Sequence, residues 1–164
     1  MENKQRLYVT ATEELGEKVI FALQELDYFL PLIGVEKAEN EERANVLLSL
    51  GFTEVAKKAG FTEQDVEPLK DDGFLIKTVG NTYFVLAKSE YGILYGVYTF
   101  LERVGGVKVY GVDEIKTEKA EFIPLDIMEN PTFDFRERPW LFWSKYDKTL
   151  HARLRLHEPY WLTP

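Results

Sequence analysis

Apolar and polar positions switch between two periods along the first hundred residues, and the switches set out the elements. Leu7-Tyr8-Val9-Thr10, inside Arg6 to Ala11, reads as a strand. Thr12 is placed to cap a helix, with Glu13 and Glu14 at its positive dipole end. Behind it Leu15, Val19, Ala22, Leu23, Leu26 and Phe29 recur at helical spacing. That helix is expected to run to about Leu30, because Pro31 disfavours α geometry at the residue before it. Ala44 to Leu50 is a continuous run ending at Gly51, the pattern of a strand covered on both faces and central in a sheet.

The tetrad Gly-Phe-Thr-Glu occurs at 51–54 and again at 60–63, each time with a threonine able to cap a short helix. So short an echo reads as one capping solution used twice, not as a repeat architecture. Gly73 to Val79 and Thr82 to Ala87 are two strand-like runs joined at Gly80-Asn81, a pair suited to a tight antiparallel hairpin. Ser89 then caps a second long helix, which Gly105-Gly106 closes. Its stripe is Ile93, Leu94, Val97, Phe100, Leu101 and Val104, and Gly92 and Gly96 share one face. A helix-interior glycine costs about 1 kcal/mol against alanine, so the pair implies close approach of the helix backbone to the sheet. Val107 to Tyr110 and Glu121 to Ile123 are expected as two further short strands.

Composition narrows what such a chain does. With 164 residues and 45% apolar content it suits one domain with a real core, and it is too short for a barrel enzyme of roughly 250 residues plus a further module. A net charge of −8 argues against nucleic acid and anionic membrane surfaces as partners. The absence of cysteine excludes disulfides and thiolate chemistry without deciding the compartment. Residues 1–5 have no signal-peptide character, so the expectation is a cytoplasmic protein or one whose targeting segment has been trimmed, with a periplasmic or secreted parent left open.

Charge is distributed unevenly. Residues 1–130 carry 24 acids and 14 bases, a net of −10, whereas 131–164 carry 4 and 6, a net of +2. All three tryptophans, Trp140, Trp143 and Trp161, lie in that second part with Phe133, Phe135, Phe142, Tyr146 and Tyr160. So much aromatic surface needs something to pack against.

The sequence offers little chemistry. His151 and His157 stand six apart, which does not give the i,i+4 register of a helical zinc pair, and both read as solvent-facing or interface residues. Glu13-Glu14, Glu41-Glu42 and Asp71-Asp72 are acidic doublets that could in principle pair as hydrolytic carboxylates. A helix first turn, a loop and a turn before a strand account for them. Neither a nucleophile elbow, a phosphate loop nor a dinucleotide fingerprint is present. No cofactor and no metal are expected.

Three landmarks in order carry a resemblance: Asp72-Gly73-Phe74-Leu75-Ile76-Lys77 with its hairpin, Ser89 to Glu102, and Pro131-Thr132-Phe133-Asp134-Phe135-Arg136. Together they resemble the α/β domain that precedes the catalytic barrel in β-N-acetylhexosaminidases, xylan α-glucuronidases and related bacterial glycoside hydrolases. The resemblance implies an α/β fold, an α+β sandwich like domain 2 of family 20 glycoside hydrolases, with a mixed sheet of about five to seven strands and two main helices on it. It further implies a non-catalytic module docked on its own C-terminal barrel, whose substrate is a glycan. Residues 1–130 are then the accessory domain, and 131–164 the linker and the start of a barrel absent from this chain. Phe133-Asp134-Phe135-Arg136 alternates like a first barrel strand, and Leu150 to Leu156 is expected to start a helix.

On this view Phe133, Phe135, Trp140 and Trp143 make interdomain contacts. Arg136 occupies the place of an arginine that holds sugar hydroxyls in hexosaminidases, with an interdomain salt bridge as the other reading. Two positions depart from the hexosaminidase pattern: Glu137-Arg138-Pro139 stands where Gly-Leu is usual, and Tyr91 where an arginine precedes Gly92. The α-glucuronidase branch is therefore kept beside the hexosaminidase one. The competing expectations are a carbohydrate-binding module that stacks sugars on Trp140, Trp143 or Trp161, and a dimer formed through the aromatic tail.

Overall fold

The computed structural model describes residues 5–131 and 148–155. Strand β1 (Gln5–Ala11), helix α1 (Glu17–Leu32), β2 (Val35–Lys37) and β3 (Val46–Leu50) open the chain. A short helix α2 (Glu54–Lys58), the hairpin β4 (Phe74–Val79) and β5 (Thr82–Leu86), and helix α3 (Glu90–Gly105) follow. A ribbon of β6 (Lys108–Val109) and β7 (Ile115–Lys116), the strand β8 (Asp126–Glu129) and helix α4 (Lys148–Arg153) complete the described elements.

Six strands form a mixed sheet in the order β2-β1-β3-β5-β4-β8. The β2-β1-β3-β5 part is parallel, and β4 runs antiparallel to both β5 and β8. β3 is interior to the sheet, as its unbroken apolar run predicts. The hairpin turns at Gly80, whose φ of 61° admits the tight connection.

The expected caps are real. Thr53 Oγ1 accepts from the Ala56 N–H at 3.1 Å, Thr62 and Asp65 form a capping box, and Ser89 Oγ accepts from the Gly92 N–H at 3.4 Å. Gly106, at φ 57°, ends α3 in the left-handed conformation.

Five expectations need correction. α1 starts at Glu17, so Glu13 and Glu14 lie in an exposed loop. Thr12 is held by the sheet, its N–H donating to the Leu50 carbonyl at 3.3 Å, and its hydroxyl donates to Glu14 O instead of capping an amide. Leu15 consequently sits outside the core, 42% exposed. Pro31 lies within the last turn of α1, since burial of Phe29, Leu30 and Ile33 outweighs the local preference of the residue before a proline. Glu121 to Ile123 is not a strand; the edge strand is β8, and the Ile123 carbonyl accepts instead from the Tyr83 hydroxyl.

Strand alternation feeds two unlike layers. Leu7, Leu48, Ile76, Tyr83 and Val85 face α1 and α3, where Leu26, Phe29, Val97 and Phe100 complete the main core. Leu75, Phe84 and Leu86 face the other way, onto Ala56, Val66 and Leu69.

Candidate functional site

Helix α3 explains where a site has to be sought. From Tyr91 to Leu101 it carries no charged residue, and Gly92 to Leu101 are buried without interruption. A helix apolar on all sides requires cover on both flanks. One flank meets the sheet through the glycines: a Cβ on Gly92 would overlap the Gly73 carbonyl oxygen, and one on Gly96 would overlap the Val85 side chain. The close approach inferred from their spacing is therefore enforced by backbone and core. The other flank is covered by α1 and by α4, the helix that comes back from the C-terminal end of the chain.

The seam between these helices is held by a buried charge pair. Glu25 lies inside the apolar stripe of α1 and is 5% exposed. Arg153 of α4 meets it in a two-pronged contact, Nε donating to Oε2 at 2.7 Å and Nη2 to Oε1 at 3.0 Å. The Tyr98 hydroxyl of α3 donates to the same Oε2 at 2.9 Å. The guanidinium also sits 5.0 Å from the ring centres of both Tyr28 and Phe29. Burial alone would loosen the Arg153 proton, but hydrogen bonding and attraction to Glu25 outweigh it and leave the pKa raised. Burial, reinforced by the Glu25 carboxylate, raises that of Tyr98, which stays a neutral donor.

A second arginine repeats the arrangement beyond the helix. Arg155 Nη2 donates to Thr99 Oγ1 at 2.9 Å and to Glu102 Oε2 at 3.0 Å, so both grips join the basic C-terminal segment to the acidic body. A buried ion pair adds little net stability over well-packed apolar groups, yet breaking it by removing one partner costs about 3–5 kcal/mol. Its effect is to fix where α4 sits.

Two clefts flank α4. The first, about 260 Å³, lies between α1 and α3 with His151 and Ala152 on its wall. The second, about 290 Å³, lies between α3 and the ribbon, with Tyr110, Arg153 and Arg155 on its rim. His151 is buried in the seam, so the solvent-facing reading of this residue does not hold. The acidic doublets face neither cleft, and among the described residues no group of three or more His, Asp or Glu is arranged to hold a metal ion.

The sequence-based site residues Phe133, Phe135, Arg136, Trp140 and Trp143 lie outside the described residues, as do His157 and Trp161. The helix expected over 150–156 is α4, starting two residues earlier and ending at Arg153. Glu25, Tyr98, Arg153 and Arg155 were not foreseen. One signal pointed to Glu25: an acid set among Ala22, Leu26 and Phe29, where the helical period demands an apolar side chain.

Residues 2–100, more than half of the chain, match the family model described as Glycosyl hydrolase family 67 N-terminus. A curated relative, alpha-glucuronidase A of Emericella nidulans, is 32% identical over 74 residues, which are 44% of this chain and 9% of that protein. The chain thus spans less than a tenth of that relative's length. Among solved structures, a chitobiase from Flavobacterium johnsoniae aligns over 94% of this chain and 23% of its own, with 12% identity and a TM-score of 0.49. A beta-N-acetylhexosaminidase from Bacteroides fragilis aligns over 79% and 21%, with 17% identity and a TM-score of 0.39.

Proposed function

The chain belongs to the family described as Glycosyl hydrolase family 67 N-terminus, and from that premise we propose that it is the accessory domain of a carbohydrate-degrading enzyme of the α-glucuronidase kind, holding a catalytic barrel and doing no chemistry itself. An N-terminal domain of a glycoside hydrolase implies a catalytic domain as its partner and a glycan as that domain's substrate. One observation carries the reading: beyond the family-matched region the chain returns as α4 and is tied to α1 and α3 by the Arg153–Glu25 pair.

On this proposal residues 1–130 are the accessory domain, and 131–164 the linker and first elements of the barrel. Phe133, Phe135, Trp140 and Trp143 then contribute interdomain contacts, and Arg136 reaches sugar hydroxyls only once the barrel is closed around it. A second copy seated on the aromatic segment is the competing partner.

The test compares the purified chain with the longer protein on glucuronic-acid-bearing xylan oligosaccharides and on chitin oligosaccharides. The longer protein is expected to release sugar and the chain alone none; turnover by the chain alone overturns the proposal. Titrating the same oligosaccharides against the chain's tryptophan fluorescence is expected to give no saturable change, and light scattering a monomer.

A further inference from the structure

Large apolar side chains left exposed by the fold are not scattered evenly. Ile20, at 44% exposure, lines the first cleft opposite His151 and Ala152. Tyr28, at 49%, lies under the Arg153 guanidinium, and Leu32 follows one turn later on the same face of α1. Tyr110, the most exposed of them at 59%, stands on the ribbon at the rim of the second cleft with Arg153 and Arg155. Ile20, Tyr28 and Tyr110 thus border α4, and Leu32 extends the line along α1. Leu15, Val79, Val112, Ile123 and Met128 are exposed as well, but none of them lines either cleft beside α4.

We infer that this ridge, Ile20, Tyr28 and Leu32 on one side of α4 and Tyr110 on the other, is the surface on which the catalytic domain that continues from α4 packs. The inference rests on the accessory-domain reading above and names the face that reading leaves open. Continuity is the first argument. α4 has six residues, about 9 Å of helix, whereas an ordinary domain interface covers roughly 600–1,500 Å². The exposed ridge borders α4 on both sides, so one body entering with α4 can cover all of it.

Chain length is the second argument, since the matched segment is only 9% of the relative's length and the remaining mass of such a protein has to dock somewhere. Charge is the third: the chain enters with Arg153 and Arg155 against Glu25 and Glu102, so the seam is already the meeting line between the acidic body and the basic segment.

The chain contains no cysteine, so an introduced thiol reports one position. Ile20→Cys, Leu32→Cys and Tyr110→Cys, with Val79→Cys as the control, are made in the 164-residue chain and in the longer protein. Maleimide labelling is followed peptide by peptide by mass spectrometry, with far-UV circular dichroism to check folding. Labelling at 20, 32 and 110 is expected to slow about tenfold or more when the catalytic domain is present, and labelling at 79 to stay unchanged. Equal rates in both proteins, or protection confined to position 79, overturn this inference and leave the accessory role standing. Protection already present in the isolated chain and lost on dilution assigns the ridge to a second copy and overturns it equally. A reading frame that stops after Pro164 overturns both proposals at once.

Discussion

The two faces of the sheet are built to different standards. On one, 26 buried residues pack between six strands, two sixteen-residue helices and their flanks; on the other, a six-residue cluster sits under a five-residue helix and short turns. The large face is closed by contact so tight that two helix positions admit no side chain. The small face is closed by caps, with Thr53 bonded to both Ser49 and the Ala56 amide. The lesson is that the rigid face is also the one that carries the seam. A docking partner is positioned accurately only by elements that do not yield, and α3 is pinned to the sheet at Gly92 and Gly96.

The largest effect should come from breaking the seam alone. Arg153→Met leaves Glu25 buried with only Tyr98 for company, at a cost of about 3–5 kcal/mol to the docked state of α4. Because α4 can lift away, amide exchange should show its protection lost while α1 and α3 keep theirs. Adding Glu25→Met should restore most of that protection; a double variant as open as the single one would show that docking needs the charges themselves.

Next comes the rigidity of the large face. Gly92→Ala puts a methyl group onto the Gly73 carbonyl and within 2.5 Å of Ala87 Cβ, and backbone is a poor thing to displace. A loss of about 3 kcal/mol in urea denaturation is expected. A loss below 1 kcal/mol would mean that the two faces are equally forgiving.

On the small face, Thr53→Ala removes the α2 cap and one partner of the buried Ser49 hydroxyl, and about 1–2 kcal/mol should be lost. The gentlest perturbation is pH. Burial raises the pKa of Tyr83, Tyr95 and Tyr98, all in the large cluster. Groups held above their unfolded value of about 10 contribute fully below that pH and lose their contribution as pH rises through the folded values. Stability should therefore not respond to these tyrosines between pH 6 and 9, about one unit short of that value. Above it, their ionisation should appear at 295 nm only as the chain unfolds.

Elements with a strong local signal were legible in the sequence. β3 was plain because an interior parallel strand is apolar throughout, α3 because a serine cap and a glycine stop bracket its stripe, and the hairpin because Gly80-Asn81 joins two matched runs. β2 and β8 were not, since Val35–Lys37 buries one side chain and Asp126–Glu129 is an edge strand whose residues are all at least partly exposed. The start of α1 was misread because Thr12 has two suitors, a helix amide and the sheet, and only the assembled sheet decides between them.

The candidate site was the least legible part. Glu25, Tyr98 and Arg153 become neighbours only after the sheet has brought α1 beside α3 and the chain has come back across them. Its traces in the sequence were the acid at position 25 amid the apolar stripe of α1 and the charge contrast between residues 1–130 and 131–164.

Glu25 and Arg153 are also separated in time. They lie 128 positions apart, which at ordinary translation speeds of 5–20 residues per second is about ten seconds of synthesis. Until Arg153 is made, Glu25 has no arginine to receive it. Among the described contacts, the grips of Arg153 and Arg155 are therefore the last to become available, and a chain cut short of residue 153 keeps its seam open.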